Sequence, residues 1–171
     1  MKILRPIPVI IMLIAIAQIA NGQDFKVPKN YSFEEKEDYA QYEEDILDCI
    51  DWLENTPINE ERKNRGDATG FFLAWILGTP DVTIEINSAV LDFDKKNPSL
   101  LITFMGGWTR FALENPKRKS DTIKGTLAGV KSVIKVYKRD DGMKKDRKME
   151  KLIKLQEEGE LENWVIDKLK M

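Results

Sequence analysis

The apolar run LLITFMGGWTRFAL, residues 100–113, constrains the fold of this 171-residue chain more than any other segment. Drawn as a helix, the run and its flanks leave only a narrow polar strip, formed by Ser99, Thr103, Arg110 and Glu114. A helix that is apolar on almost every side must be covered by other elements on most sides. Asn97-Pro98 supplies a cap and a first-turn proline. We therefore predict a central buried helix over about residues 98–114.

Prolines divide most of the chain into segments of helical length. They recur about every 20 residues, which is typical of helices joined by short turns. The four positions are Pro57, Pro80, Pro98 and Pro116. Since short turns place successive helices side by side, we predict an all-α fold: a compact bundle of six to seven antiparallel helices around the central one.

Apolar residues at three- and four-residue spacing locate the other helices. A helix over 33–55 would begin at a capping box formed by Ser32 and Glu35. A second, over 59–77, leaves open a break or a late start near Gly66. A later helix would be capped by Ser120 and end at a turn over 139–142. Two short helices follow, over about 149–155 and 161–169.

The segment DVTIEINSAVLDFD, residues 81–94, fits two structures. Val82, Ile84 and Ile86 alternate with polar residues, as in a strand, whereas Val82, Ile86 and Val90 also match helical spacing. A lone strand would have no partner elsewhere in this chain. We therefore predict a helix here, on tertiary grounds rather than on propensity.

The N-terminus has the pattern of a secretory signal peptide. A basic start with Lys2 and Arg5 precedes an apolar run over 6–17, and small residues at Ala20 and Gly22 suit cleavage before Gln23. The run is shorter than the roughly 20 residues of a membrane-spanning helix. We predict a signal peptide over 1–22, an extended lead-in over 23–31 and a single all-α domain over 32–171. The mature protein would be periplasmic or secreted, without a stable membrane span; an uncleaved anchor is the alternative.

Composition narrows the chemistry that this chain can perform. It contains no histidine and one cysteine, Cys49, so pairs of the Ser-His or Cys-His type are excluded. The same inventory gives no metal site and no internal disulfide, and we predict no cofactor. The mature chain carries a net charge of −4, which predicts no general attraction to nucleic acid. These exclusions favour a protein that is not an enzyme.

The pair Gly106-Gly107 costs about 2 kcal/mol relative to two alanines in a helix. A close crossing by another helix would explain it, and Gly66 and Gly70 could supply the other half of that crossing. A local widening that admits a ligand is the alternative. Arg110 needs a carboxylate partner or an exit to solvent. If it were unpaired near a cavity with Trp75 and Trp108, an anionic small molecule would be the leading ligand.

Glu85 is the best candidate for an acid catalyst. Its neighbours Ile84 and Ile86 could form apolar walls, and a second carboxylate such as Glu114 would complete a glycan hydrolase. The simpler interpretation places Glu85 on the exposed face of an amphipathic helix.

Charge is distributed unevenly along the chain. Residues 23–61 hold 13 acids and 3 bases, whereas residues 116–154 hold 14 bases and 5 acids. We favour the interpretation that the acidic first helix packs near the basic fifth and sixth helices. The alternative is a module in which region 116–154 binds an anionic surface.

Several motifs carry a resemblance to a protein family: Asn21-Gly22-Gln23, then FKVPKNY, DCIDWLENTP and NPSLLITFMGGWTRFALENP. With these, the mature chain resembles a family of short exported all-helical bacterial proteins without an assigned activity. The resemblance implies export and an all-α fold, and it brings no active site. Our functional hypothesis is an exported non-enzymatic binding or scaffold protein with an unknown protein or an anionic small molecule as partner. The candidate binding residues are Trp75, Trp108, Arg110 and Glu85.

Overall fold

A computed structural model describes residues 25–93, 95–139 and 142–170; the predicted signal peptide lies outside these residues. Within them the chain forms seven α-helices, one 3-10 turn and no strand, which confirms the all-α prediction. The helices are α1 (Lys36–Ala40), α2 (Glu43–Asn55), α3 (Arg62–Ile76), α4 (Ser99–Glu114), α5 (Thr122–Arg139), α6 (Arg147–Glu157) and α7 (Leu161–Leu169). No described helix combines the length and apolarity that crossing a membrane requires.

Two helices replace the predicted first helix, and its cap differs from the predicted one. The chain breaks at Gln41 and Tyr42, between α1 and α2. The capping box consists of Glu35 and Asp38, whose side chain accepts from the backbone of Glu35 at 2.9 Å. Ser32 instead donates to Glu34. Ser-Phe-Glu-Glu fits the usual residue types of a capping box, whereas the overlapping Glu-Lys-Glu-Asp, which forms the box here, has only the same spacing.

Two further caps are corrected by the structure. Asp121, not Ser120, accepts the backbone N–H of Lys124 at the start of α5, at 3.0 Å. Asn97 does not cap α4, because its side chain bonds both backbone groups of Lys144, at 2.8 and 2.9 Å. This amide therefore ties the start of α4 to the segment before α6. The second predicted helix neither breaks nor starts near Gly66, since α3 begins at Arg62 and runs unbroken through Gly66.

The helix predicted over 81–94 is wrong. Residues 82–87 run without helix, turn or bend, and residues 88–93 form turns in which Val90 and Leu91 donate to the carbonyl of Asn87. Along the straight part, Val82 is buried and Thr83 is exposed, as the two-residue period predicts. The local β-branched pattern therefore decided the conformation, although no strand pairs with it.

Two apolar clusters form the core, and α4 contributes to both. The C-terminal cluster is built mainly from α4–α7 and includes Phe104, Trp108, Val130, Ile134, Met149, Leu161 and Val165. The N-terminal cluster is built mainly from α2 and α3 and includes Ile46, Cys49, Ile50, Phe71, Phe72 and Trp75. Ala112 of α4 belongs to this second cluster. The prediction of a central apolar helix is thereby confirmed.

Glycines bring α4 and α5 into close contact. A Cβ atom on Gly107 would lie 2.9 Å from the carbonyl oxygen of Ala128, and one on Gly129 would lie 2.8 Å from that of Phe104. Real Cβ atoms essentially never approach so closely, so the crossing requires glycine at both positions. The close-crossing interpretation of the glycine pair is confirmed, with α5 as the partner. Gly66 and Gly70 take no part in it, since a Cβ on either would meet nothing within 4 Å.

The lead-in packs against α3. Residues 25–33 form no helix, and the rings of Phe25, Tyr31 and Phe33 lie 6.3, 4.9 and 5.9 Å from the ring of Phe71. The side chain of Phe71 is fully buried. These aromatic side chains pack against the N-terminal cluster at Phe71.

Candidate functional site

Charged side chains meet at the seam, by which we mean the zone where α2, α4 and α5 come together between the two clusters. Glu54 of α2 is only 2% exposed and accepts hydrogen bonds from Arg110 of α4, at 2.9 Å, and from Lys135 of α5, at 3.1 Å. Arg110 also pairs with Asp51, one turn earlier on α2. The buried carboxylate thus joins three helices.

Burial alone would raise the pKa of Glu54. The Arg110 guanidinium, together with hydrogen bonds from Ser132, Arg110 and Lys135, outweighs burial and holds this pKa below its ordinary value of 4.5. The carboxylate is therefore charged at neutral pH and bound on both oxygens. Both terminal nitrogens of the Arg110 guanidinium are paired, one with Glu54 and the other with Asp51. Arg110 is therefore not the unpaired cation that an anionic ligand would need.

Two arginines bind the C-terminal end of α2. Arg65 donates to the carbonyls of Leu53 and Thr56, and its guanidinium lies 5.6 Å from the centre of the Trp52 ring. Arg139 of α5 donates to the carbonyls of Glu54 and Thr56. Cations at this end of a helix satisfy its last carbonyls and oppose its dipole. Cations of the basic α5 thus bind the acidic α2, as the favoured interpretation of the charge pattern predicts for the fifth helix; these contacts do not involve the sixth, α6.

A pocket of about 60 Å³ lies beside this network, between α2, α3 and α4. At roughly 10–15 Å³ per water, it has room for about four waters or for a few heavy atoms of a ligand. Its lining combines apolar side chains with hydroxyls and two charged groups: Ile50, Leu53, Glu54, Ile58, Arg65, Thr69, Phe72, Ser99, Ile102, Thr103 and Gly106. Gly106 therefore opens onto a pocket, while Gly107 supports the helix crossing.

The four candidate residues from the sequence do not meet in one place, and none of them lines this pocket. Trp75 belongs to the N-terminal cluster, where its ring nitrogen donates to the carbonyl of Tyr39 at 2.9 Å. Trp108 belongs to the C-terminal cluster, and its buried ring nitrogen has no hydrogen-bond partner among the described residues. Both rings are core side chains rather than parts of one ligand platform.

Glu85 is exposed, as is Glu114. The hydroxyl of Thr122 donates to the Glu85 carboxylate at 3.1 Å. Neither carboxylate lies between the apolar walls that the hydrolase alternative needs, so the structure adds nothing in favour of that alternative.

The sequence contained signals for the residues that were missed. Ile46, Ile50 and Glu54 follow one another at four-residue steps, so Glu54 lies on the buried stripe of α2 and not on its acidic face. Ser99, Thr103 and Gly106 likewise share one face of α4. Two residues of the narrow polar strip, Ser99 and Thr103, therefore line the pocket, but only the fold shows which residues of α3 lie opposite them.

Among the residues that the structure describes, no group of three or more His, Cys, Asp or Glu side chains could hold a metal ion. No family model, curated protein or solved structure matches this chain. The fold and the site define the class: an all-α bundle with two apolar clusters, an ion network around the buried Glu54, and a small, mostly apolar pocket between α2, α3 and α4.

Proposed function

We propose that this chain is an exported, non-enzymatic binding protein whose ligand occupies the pocket between α2, α3 and α4. One observation carries the proposal. Thr69, Ser99 and Thr103 line the pocket from two helices, and their hydroxyls hydrogen-bond to none of the described residues. Beside these hydroxyls lie Ile50 and Ile102. A ligand could therefore find polar partners at one side and apolar contacts at the other.

The charges around the pocket favour an uncharged ligand. Glu54 is bound by two cations, and Arg65 is held by carbonyls of α2, so neither offers an open countercharge. Burying a ligand charge without a partner would be costly. The volume admits only a few heavy atoms, so a small alcohol or the hydroxyl-bearing end of a larger molecule fits this pocket best.

Nuclear magnetic resonance titration with small alcohols and phenols tests the proposal. We expect saturable amide shifts confined to the parts of α2, α3 and α4 that line the pocket, and weaker binding in Thr103→Val, which removes a hydroxyl at nearly constant volume. Thr122→Val on α5 is the matched control, because Thr122 does not line the pocket. Shifts that never saturate, or that respond equally to both variants, would refute a ligand site here.

Export has a separate test. It depends on the pattern of residues 1–22, so N-terminal sequencing of the protein from the periplasm or the medium should begin at Gln23. A chain that retains Met1 would contradict cleavage.

A second candidate function is binding to an anionic surface. The bases that favour it are fewer than the whole basic region 116–154. Lys144, Lys145 and Arg147 are exposed and form no ion pair with any described residue. Lys96 lies beside them, since its ammonium group donates to the carbonyl of Lys145 at 3.2 Å. Most bases of α5, such as Lys135, are already paired. The candidate surface therefore comprises Lys96, Lys144, Lys145 and Arg147, whereas the neighbouring Lys95 and Lys148 pair with Asp92.

Binding to vesicles with and without anionic lipid, at low and high salt, tests this surface. The double variant Lys145→Glu/Arg147→Glu should lose salt-sensitive binding. Arg62→Glu/Lys63→Glu at the start of α3 is the matched control, with the same residue types and the same change in charge. No binding at low salt, or equal loss in both variants, would eliminate this candidate.

A further inference from the structure

The segment Val82–Ile86 has an unpaired backbone. No hydrogen bond with any described residue involves an N–H or C=O group of these five residues. The segment runs without a bend, and Thr83 and Glu85 are exposed. Ile86 is 57% exposed, and Leu77 is the only other large apolar side chain exposed among the described residues. Val82–Ile86 is therefore a segment without helix or bend whose backbone groups have no partner among the described residues.

Two inward side chains hold this strand in place. Val82 is 5% exposed and belongs to the N-terminal cluster, whereas Ile84 packs against both clusters. These contacts fix the backbone before any partner arrives, which lowers the entropy lost on pairing. Val, Thr and Ile also have high strand propensity. A straight, anchored edge with free N–H and C=O groups is a template for another extended chain.

We propose that Val82–Ile86 pairs with the same segment of a second copy of this chain, in antiparallel orientation and centred on Ile84. Val82 then faces Ile86 of the other copy, Thr83 faces Glu85, and Ile84 faces Ile84. The exposed Ile86 gains an apolar neighbour on the same face. The arrangement has two-fold symmetry, so the same surface serves both copies.

Charge selects this register among the neighbouring ones. Centring the pair on Glu85 would place two Glu85 carboxylates opposite each other, and centring it on Thr83 would place Glu85 opposite Asp81. In the proposed register no acid faces an acid, and the flanking Asp81 faces Asn87. Asp81 is also paired within its own chain to Lys119, at 2.9 Å. In this register every apolar residue of the segment faces an apolar residue of the other copy and no like charges meet, and this match favours a second copy over a foreign peptide.

Five cross-strand pairs make a small interface, so the dimer should be weak and visible mainly in concentrated samples. Sedimentation equilibrium over a range of concentrations measures its dissociation constant. Thr83→Lys would place two opposite-charge pairs across the interface, and Thr83→Glu would place two like-charge pairs there. We expect the first to tighten the dimer about 2- to 30-fold and the second to weaken it by a similar factor.

Position 83 is exposed, so both variants should keep the fold, which circular dichroism checks. A chain that stays monomeric at every concentration would overturn the proposal. Association that responds alike to the Lys and Glu variants would also overturn it, since the contact would then lie elsewhere or involve another partner. Opposite responses of the two variants would support the self-pairing and its register together.

Discussion

Replacing Arg110 with Met tests whether the buried ion network stabilises the seam. Glu54 is 2% exposed, and the variant removes its principal cation. Removing one partner of a buried pair costs about 3–5 kcal/mol, and because Lys135 still bonds the carboxylate we expect about 3 kcal/mol. The Asp51 contact adds little, because Asp51 is exposed. A loss of this size should lower the melting temperature by about 6–12 °C.

The same variant predicts a change in pH dependence. In the parent protein the pKa of Glu54 is lowered, so its contribution to stability is complete above its ordinary value of 4.5 and is lost as pH falls through the folded-state value. Without Arg110, less of the effect of burial on the Glu54 carboxylate is offset, so the charged form is less favourable than in the parent protein. Protonation of Glu54 at low pH then relieves part of the stability loss in the variant. The difference in unfolding free energy between parent and variant should therefore shrink between neutral pH and pH values below 4.5.

Urea unfolding followed by tryptophan fluorescence measures both effects. Lys124→Met is the control, because it removes the partly exposed Lys124–Glu162 pair and should cost no more than about 1 kcal/mol. Equal losses in the two variants, or a difference that does not change with pH, would refute the role assigned to the network.

Three further predictions concern single positions. Cys49 is fully buried and burial raises its pKa to about 12, so a thiol reagent should label it only in unfolded protein; rapid labelling of the native state would contradict this. Asp146→Ala removes the cap that accepts the N–H of Lys148 and should cost about 1 kcal/mol in urea unfolding, whereas Asp146→Asn should cost less. Gly159→Ala should destabilise by about 1 kcal/mol in the same assay, since its φ is +76°; an unchanged midpoint would argue against that backbone conformation.

Local signals predicted the helices well where a long amphipathic or apolar run ends at proline or glycine. The central helix followed from its apolarity, and α5 followed from its stripe of Ile, Leu and Val. Caps were less predictable, because Ser32 and Asn97 match the preferred residue types while the fold gives their side chains other partners. Propensity and tertiary reasoning conflicted over 81–94: the helix is absent, and residues 82–87 form neither a helix nor a paired strand.

The pocket and the ion network could not be predicted from any single segment. Both depend on which faces of α2, α3 and α4 meet, and that is decided by long-range packing. Glu54 illustrates the difficulty, since it is one of many acids in its region and only its position in the Ile46–Ile50 stripe distinguishes it. The partner glycines in α5 were likewise missed, because Gly125 and Gly129 lie in an ordinary amphipathic helix.

The close crossing of α4 and α5 is the central structural claim, and alanine at Gly107 tests it most directly. The new methyl group would lie 2.9 Å from the backbone oxygen of Ala128, so we expect a loss of about 1–3 kcal/mol in unfolding free energy. Gly70→Ala, in an open helical position, should instead gain up to about 1 kcal/mol. A gain in both variants would contradict the account, since it would mean that α4 does not lie against α5 at this point.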